Sequence, residues 1–167
     1  MIFGRPGGGK STFALWLANA FNLPLHHLDK HFFVADWVKR DYDEFLEIQQ
    51  NIISTDSWIV DGNNPASFEM RFDRADLVLY FNYPRMICYF RILKRFFQSS
   101  RSEDDIPPGC DEVIHWVFLK YTWSFAKRME PVISVFKAQY PNKAFREIKS
   151  NADLERLKRE LVEKRLN

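Results

Sequence analysis

Apolar residues recur along this chain with two alternating periods. Residues 1–3 read as the tail of a buried strand. Residues 10–21 follow helical spacing, with Phe13, Leu17, Ala20 and Phe21 on one face. Residues 25–28, opened by Pro24, form a second short strand. Residues 42–54 are amphipathic at helical spacing, and Asp41 is placed to cap them. Residues 58–60 and 77–81 read as a third and a fourth strand, the fourth continuously apolar and therefore buried on both faces. A helix opened by Pro84 runs to about 97, and another spans about 110–129. Residues 143–148 form a fifth strand and 153–166 a charged amphipathic helix. Strands alternating with helices require βαβ crossovers, hence a parallel sheet covered on both faces. In such folds sites lie outside the carboxyl ends of the strands.

Composition narrows the class. The chain has 167 residues, 46% hydrophobic and 16% aromatic, enough for one domain with a sizeable core. A net charge of +2 is too small to mark a nucleic-acid surface by itself. Cys88 and Cys110 have no metal or disulfide spacing and are expected as reduced thiols in a cytoplasmic protein. No run is apolar enough to span a membrane, and neither repeat nor linker divides 1–167.

One segment carries clear chemistry. Residues 4–11, Gly-Arg-Pro-Gly-Gly-Gly-Lys-Ser, match G-x-x-x-x-G-K-[ST] between a strand and a helix, the context a P-loop requires. Gly4, Gly7, Gly8 and Gly9 let backbone amides approach phosphate oxygens. The helix N-terminus adds unpaired amides and its dipole, with Thr12 among the phosphate-binding positions. Lys10 reaches the β- and γ-phosphates of ATP, and the Ser11 hydroxyl ligates Mg²⁺. Arg5 and Pro6 are unusual where small residues are common. Only Met1, Ile2 and Phe3 precede Gly4, short for a leading strand, so missing or replaced N-terminal residues are the expectation, left open by the sequence. The chain lacks the Asn-Lys-x-Asp motif of switch GTPases and the Leu-Ser-Gly-Gly signature of transporter ATPases.

The segments LPLHHLD, WIVDGN, RADLVLYFNYPR and RILKRF extend the pattern over most of the chain. Together with the P-loop they resemble adenylate-kinase-like small-molecule kinases, and more closely the bacterial DNA topology-modulation proteins of FlaR type. The resemblance implies a three-layer, nucleoside-monophosphate-kinase-like P-loop fold with a five-strand parallel sheet in the order 2-3-1-4-5. It implies an acceptor-binding segment over about 30–57 and a lid over about 98–110. The expected activity is Mg·ATP-dependent phosphoryl transfer to a small-molecule or nucleotide acceptor. The alternative is a nucleotide-dependent regulatory or DNA-binding protein. A monomer or a homodimer is compatible with either.

Asp29 and Asp61 stand at expected strand ends beside the P-loop strand. Asp29 is favoured as acceptor-side base and Asp61 for the water shell of the metal, with the swap and a plain loop-capping role left open. Arg91 and Arg95 share a helix face and are candidates for stabilising the transferring phosphoryl, against a solvated charged face. Arg101 is a candidate nucleotide ligand in the lid, and Arg128 a weaker one for the same phosphates. Trp37, among Phe32, Phe33 and Arg40, is an acceptor-pocket candidate, against simple core cover. Arg71 is favoured to hold an acceptor phosphate, while Arg74 can pair with Asp73 or Asp76. The turn 61–65, Asp-Gly-Asn-Asn-Pro, lacks the arginine of adenylate kinases, which argues against AMP as acceptor. His26, His27, His31 and His115 share no evident partner and are expected to fill, cap or lie at the surface. The turn 149–152 is a candidate for contact with adenine.

Overall fold

The computed structural model describes residues 1–98 and 116–166. Its centre is β1 (Ile2–Gly4), flanked by β3 (Ile59–Asp61) and β4 (Leu77–Phe81). With β2 (Leu25–His27) and β5 (Ala144–Ile148) outside them, the order is β2-β3-β1-β4-β5, and every pairing is parallel. Both the sheet and its order agree with the sequence reading.

Strand alternation splits the core into two layers. Ile2, Leu79 and Phe81 pack with Phe13, Ala14 and Ala18 of α1 (Lys10–Phe21), Cys88 of α5 (Arg85–Gln98) and Leu157 of α7 (Asn151–Leu166). Phe3, Val78 and Tyr80 face the other way, onto α4 (Phe68–Arg74) and α6 (Trp116–Gln139) through Phe68, Phe72, Phe125, Met129 and Ile133. Beside them Leu28 of α2 (Leu28–Phe32) meets Phe45 and Ile52 of α3 (Tyr42–Ile53), which close over Val60. Asp41 caps α3, accepting from the amides of Asp43 and Glu44. Among the described residues no helix is long and apolar enough to cross a membrane.

Several boundaries differ from expectation. β2 stops at His27, and Leu28 turns into α2, so Asp29 sits in a first helical turn rather than on a strand. β3 runs one residue further, to Asp61. The α4 helix was not evident in the sequence, because a seven-residue helix shows only two turns of apolar period. α6 continues ten residues past the expected end at 129, through Pro131. Beyond the proline the helix still buries Ile133 in the core. The candidate lid beyond residue 98, with Arg101 and Cys110, lies outside the described residues, as does His115.

Candidate functional site

The P-loop leaves β1 at Gly4 and enters α1 at Lys10. Gly9 precedes the helix at φ 90°, in the left-handed region, and turns the chain so that the first amides of α1 face outward. The loop closes on itself through Gly8 N–H donating to Arg5 O at 3.0 Å. The Lys10 ammonium rests on the same carbonyl at 3.2 Å. Backbone amides, the N-terminus of α1 and the Lys10 ammonium thus lie together at this loop, the groups of which an anion cradle is made.

Asn63, not singled out in the sequence, fastens the cradle to the sheet. Its Oδ1 accepts from Gly4 N–H at 2.9 Å and its Nδ2 donates to Gly4 O at 2.8 Å. The β1–β3 ladder ends at Ile2 opposite Asp61, with Gly62 N–H donating to Ile2 O at 3.1 Å. Beyond that point the Asn63 side-chain amide stands in for a peptide group.

Arg91, a candidate for the transferring phosphoryl, reaches the P-loop backbone. Its Nη1 donates to Gly8 O at 3.2 Å, and its guanidinium lies 4.4 Å from the centre of the Tyr83 ring. A second unanticipated asparagine orients it. Asn151 Oδ1 accepts from Arg91 Nη2 at 2.9 Å and from the Tyr83 hydroxyl at 3.0 Å. Asn151 opens α7, which starts two residues before the expected 153, so the segment expected as the turn 149–152 borders Arg91. Arg95 follows one turn along α5 and is half-buried, while Ser11 and Thr12 occupy the first turn of α1.

The two carboxylates are in different environments. Asp61 is 4% exposed, and its Oδ2 lies 3.2 Å from His27 Nδ1. Its Oδ1 is buried without a hydrogen-bond partner. His27 therefore has a specific partner, contrary to the sequence reading. Asp29 is exposed and faces Tyr121 of α6 closely enough to act on its ionisation. Burial pushes the Tyr121 hydroxyl up. Asp29 adds to that shift, while Arg128 and a hydrogen bond with Asn63 oppose it. Arg128 stacks on the Tyr121 ring at 4.3 Å and donates to its carbonyl at 3.2 Å. Asp29, Asn63, Tyr121 and Arg128 thus form one wall, tied to the P-loop through Asn63 on Gly4.

Arg71 requires a correction. It is 0% exposed, and three carbonyls hold its guanidinium: Ser67 O at 3.2 Å, Gly62 O at 3.3 Å and Asn64 O at 2.8 Å. Burial pulls it down to about 10, and it has no face open to an acceptor. It braces the turn after β3 instead. Arg74 donates to Ile53 O at 3.3 Å rather than resting on either expected aspartate. Trp37 stacks edge-on against Phe33 at 5.2 Å, on a backbone with φ 57°. A bulky residue is uncommon in that left-handed region.

No family model and no curated protein matches this chain. Solved structures do. A shikimate kinase from Bacteroides thetaiotaomicron is 15% identical, with a TM-score of 0.53 over 96% of this chain and 95% of that one. A shikimate kinase from Aquifex aeolicus is 12% identical, with a TM-score of 0.47 over 99% and 98%. The sheet order, the phosphate cradle and the first of these likenesses together make the fold that of the kinase-like P-loop nucleoside triphosphatases.

Proposed function

We propose that the protein transfers the γ-phosphoryl group of Mg·ATP to a small-molecule or nucleotide acceptor. The observation that carries this is the P-loop itself, with the Lys10 ammonium at the start of α1 and the Arg91 guanidinium on Gly8 O, next to a β3 that sets Asp61 opposite Ile2 of the P-loop strand. Phosphoryl transfer asks a protein mainly for positioning and charge neutralisation. Cradle amides and Lys10 hold the β- and γ-phosphates, and Arg91 with Arg95 offsets charge on the transferring group. The acceptor oxygen forms a bond to the γ-phosphorus as the bond to the bridging oxygen breaks, releasing ADP. The acceptor proton passes to the Asp29 carboxylate.

The orphaned Oδ1 of Asp61, an acceptor with unused lone pairs, fits a water of a bound cation's shell. Ser11 and Asp61 are the residues that would hold Mg²⁺, which when bound neutralises charge on the phosphates. The burial of Asp61 against His27 and the exposure of Asp29 beside Tyr121 support this division over its reverse. Arg128 and Trp37 are the acceptor-side candidates, and Arg101 of the lid remains a nucleotide candidate.

The test is ADP release from Mg·ATP over a panel of hydroxyl and phosphate acceptors. A true acceptor raises release at least about 100-fold over basal hydrolysis, and Lys10→Ala or Asp29→Asn removes the increase. If no acceptor raises release and Asp29→Ala leaves the basal rate unchanged, the kinase reading is wrong.

A second reading follows the topology-modulation resemblance: nucleotide-dependent nucleic-acid binding. The observation favouring it is α5, which exposes Arg85 and Lys94 beside Met86, Phe90 and Phe97. Duplex DNA retained at low salt and released steeply as salt rises would support it. No retention at low salt would dismiss it.

A further inference from the structure

Arg5 is a long cation inside a loop of small residues, and the proposed chemistry gives it no task. The residue is 6% exposed. Its Nη1 reaches across to α6, donating to the carbonyls of Thr122 at 3.0 Å and Trp123 at 3.5 Å. Its main chain is equally engaged. The amide donates to Phe81 O at 2.9 Å, and the carbonyl accepts from both Gly8 N–H and the Lys10 ammonium. One residue therefore joins the end of β4, the turn of the cradle, the P-loop lysine and α6. Next to its contact on α6 is Tyr121, which belongs to the wall with Asp29, Asn63 and Arg128.

We infer that Arg5 is a positioning residue that couples occupancy of the phosphate cradle to the Tyr121 face of α6. The inference rests on reading the cradle as a triphosphate site. Phosphate oxygens compete with Arg5 O for the Lys10 ammonium, so binding releases a contact that holds the Arg5 peptide in its resting position. The buried guanidinium cannot drop its α6 carbonyls without leaving a desolvated cation unpaired, so a shift of the loop is passed to the helix. Coupling of this kind is reciprocal: whatever seats against Tyr121 tightens the nucleotide by the factor that the nucleotide tightens it.

The experiment is amide hydrogen exchange on the full chain, with Mg²⁺ and a non-hydrolysable ATP analogue. In the wild type the analogue is expected to slow exchange in the cradle. It should also slow the amides of 118–126 by about fivefold or more, the low end of ordinary coupling between sites. In Arg5→Met the cradle keeps its protection while the α6 effect falls below about twofold, the level at which no coupling of that size remains. Arg5→Lys, able to reach one carbonyl, gives an intermediate effect. A residue that only stabilised the fold would alter exchange with and without ligand alike, not the difference between them. Wild-type protection confined to the cradle overturns the inference. So does α6 protection that is undiminished in Arg5→Met or, should that variant not fold, in Arg5→Lys. Failure of the wild type to bind the analogue at all is a different result: it removes the triphosphate reading itself and this inference with it.

Discussion

Replacing Asn63 by alanine tests how the cradle is anchored. The side chain serves both backbone polar groups of Gly4, at 2.9 Å and 2.8 Å. Gly4 is buried in the central strand, so neither group regains a full complement of water when the amide is removed. An unmet buried donor or acceptor costs about 1–3 kcal/mol. Both contacts are partly open, which places each near the low end, for a total of about 2–3 kcal/mol. A chain of this size loses roughly 2–4 °C of Tm per kcal/mol, so the expected fall is about 4–12 °C. The neighbouring residue supplies the control. Asn64 makes one cap contact, from Ser67 N–H to its Oδ1 at 3.2 Å. Asn64→Ala should therefore cost only about 1 kcal/mol. Urea titrations of the three proteins, followed by far-UV circular dichroism, give the comparison directly. An Asn63→Ala loss below about 0.5 kcal/mol, or no greater than that of Asn64→Ala, would refute the assignment of Asn63 as the latch.

Other expectations follow from the same geometry. Gly62→Ala places a Cβ 2.6 Å from Leu28 Cβ at φ 149°, and should cost more than about 2 kcal/mol in a chemical denaturation experiment. Arg71→Met strips three carbonyls of their donor and should cost about 2–4 kcal/mol while leaving the nucleotide Kd of the folded protein within about twofold, measured calorimetrically. Arg91→Ala should weaken Mg·ATP binding about tenfold, the loss of one charge-assisted contact, with little change in Tm. His26 and His31, whose rings lie 5.8 Å apart, are both held below their ordinary value, chiefly by burial and secondarily by the neighbouring imidazoles, with Arg40 and Lys30 adding at His31. The unfolded chain then binds more protons, so stability is complete above about pH 6.5 and is lost as pH falls toward the folded values. The urea midpoint should drop over that range, and His26→Gln with His31→Gln should flatten the drop.

The parts of the site legible in the sequence are those whose chemistry is local. The P-loop is a contiguous string whose glycines, lysine and serine must follow one another, and the strand–helix context around it shows in apolar period alone. Helical spacing sets Arg91 and Arg95 on one face of α5, and the structure brings Arg91 to Gly8 O. Arg71 misled because charge alone does not say which way a residue points from a short helix. Three backbone carbonyls can satisfy a guanidinium as well as an anion can, and such acceptors leave no trace in composition. His27 was missed for a related reason. Its partner Asp61 is 34 positions away, and only the parallel pairing of β2 with β3 brings them level.

Asn63 and Asn151 show why the rest of the scaffold was hard to read. Each sits just past a strand, and each holds a piece of the anion site with a neutral amide. Asn63 has to donate and accept at once, which a carboxylate cannot do at neutral pH. Asn151 has only to accept, from Arg91 and from Tyr83, and an aspartate would do that with shorter bonds. A carboxylate there, however, would neutralise Arg91 beside the cradle and cancel the field that draws phosphate to it. The acid that β3 sets opposite β1 is instead Asp61, which is buried and set against His27. Under the proposed function, positive charge at the P-loop is kept by building its supports from amides and backbone. Those are the groups whose roles depend on tertiary placement rather than on any motif.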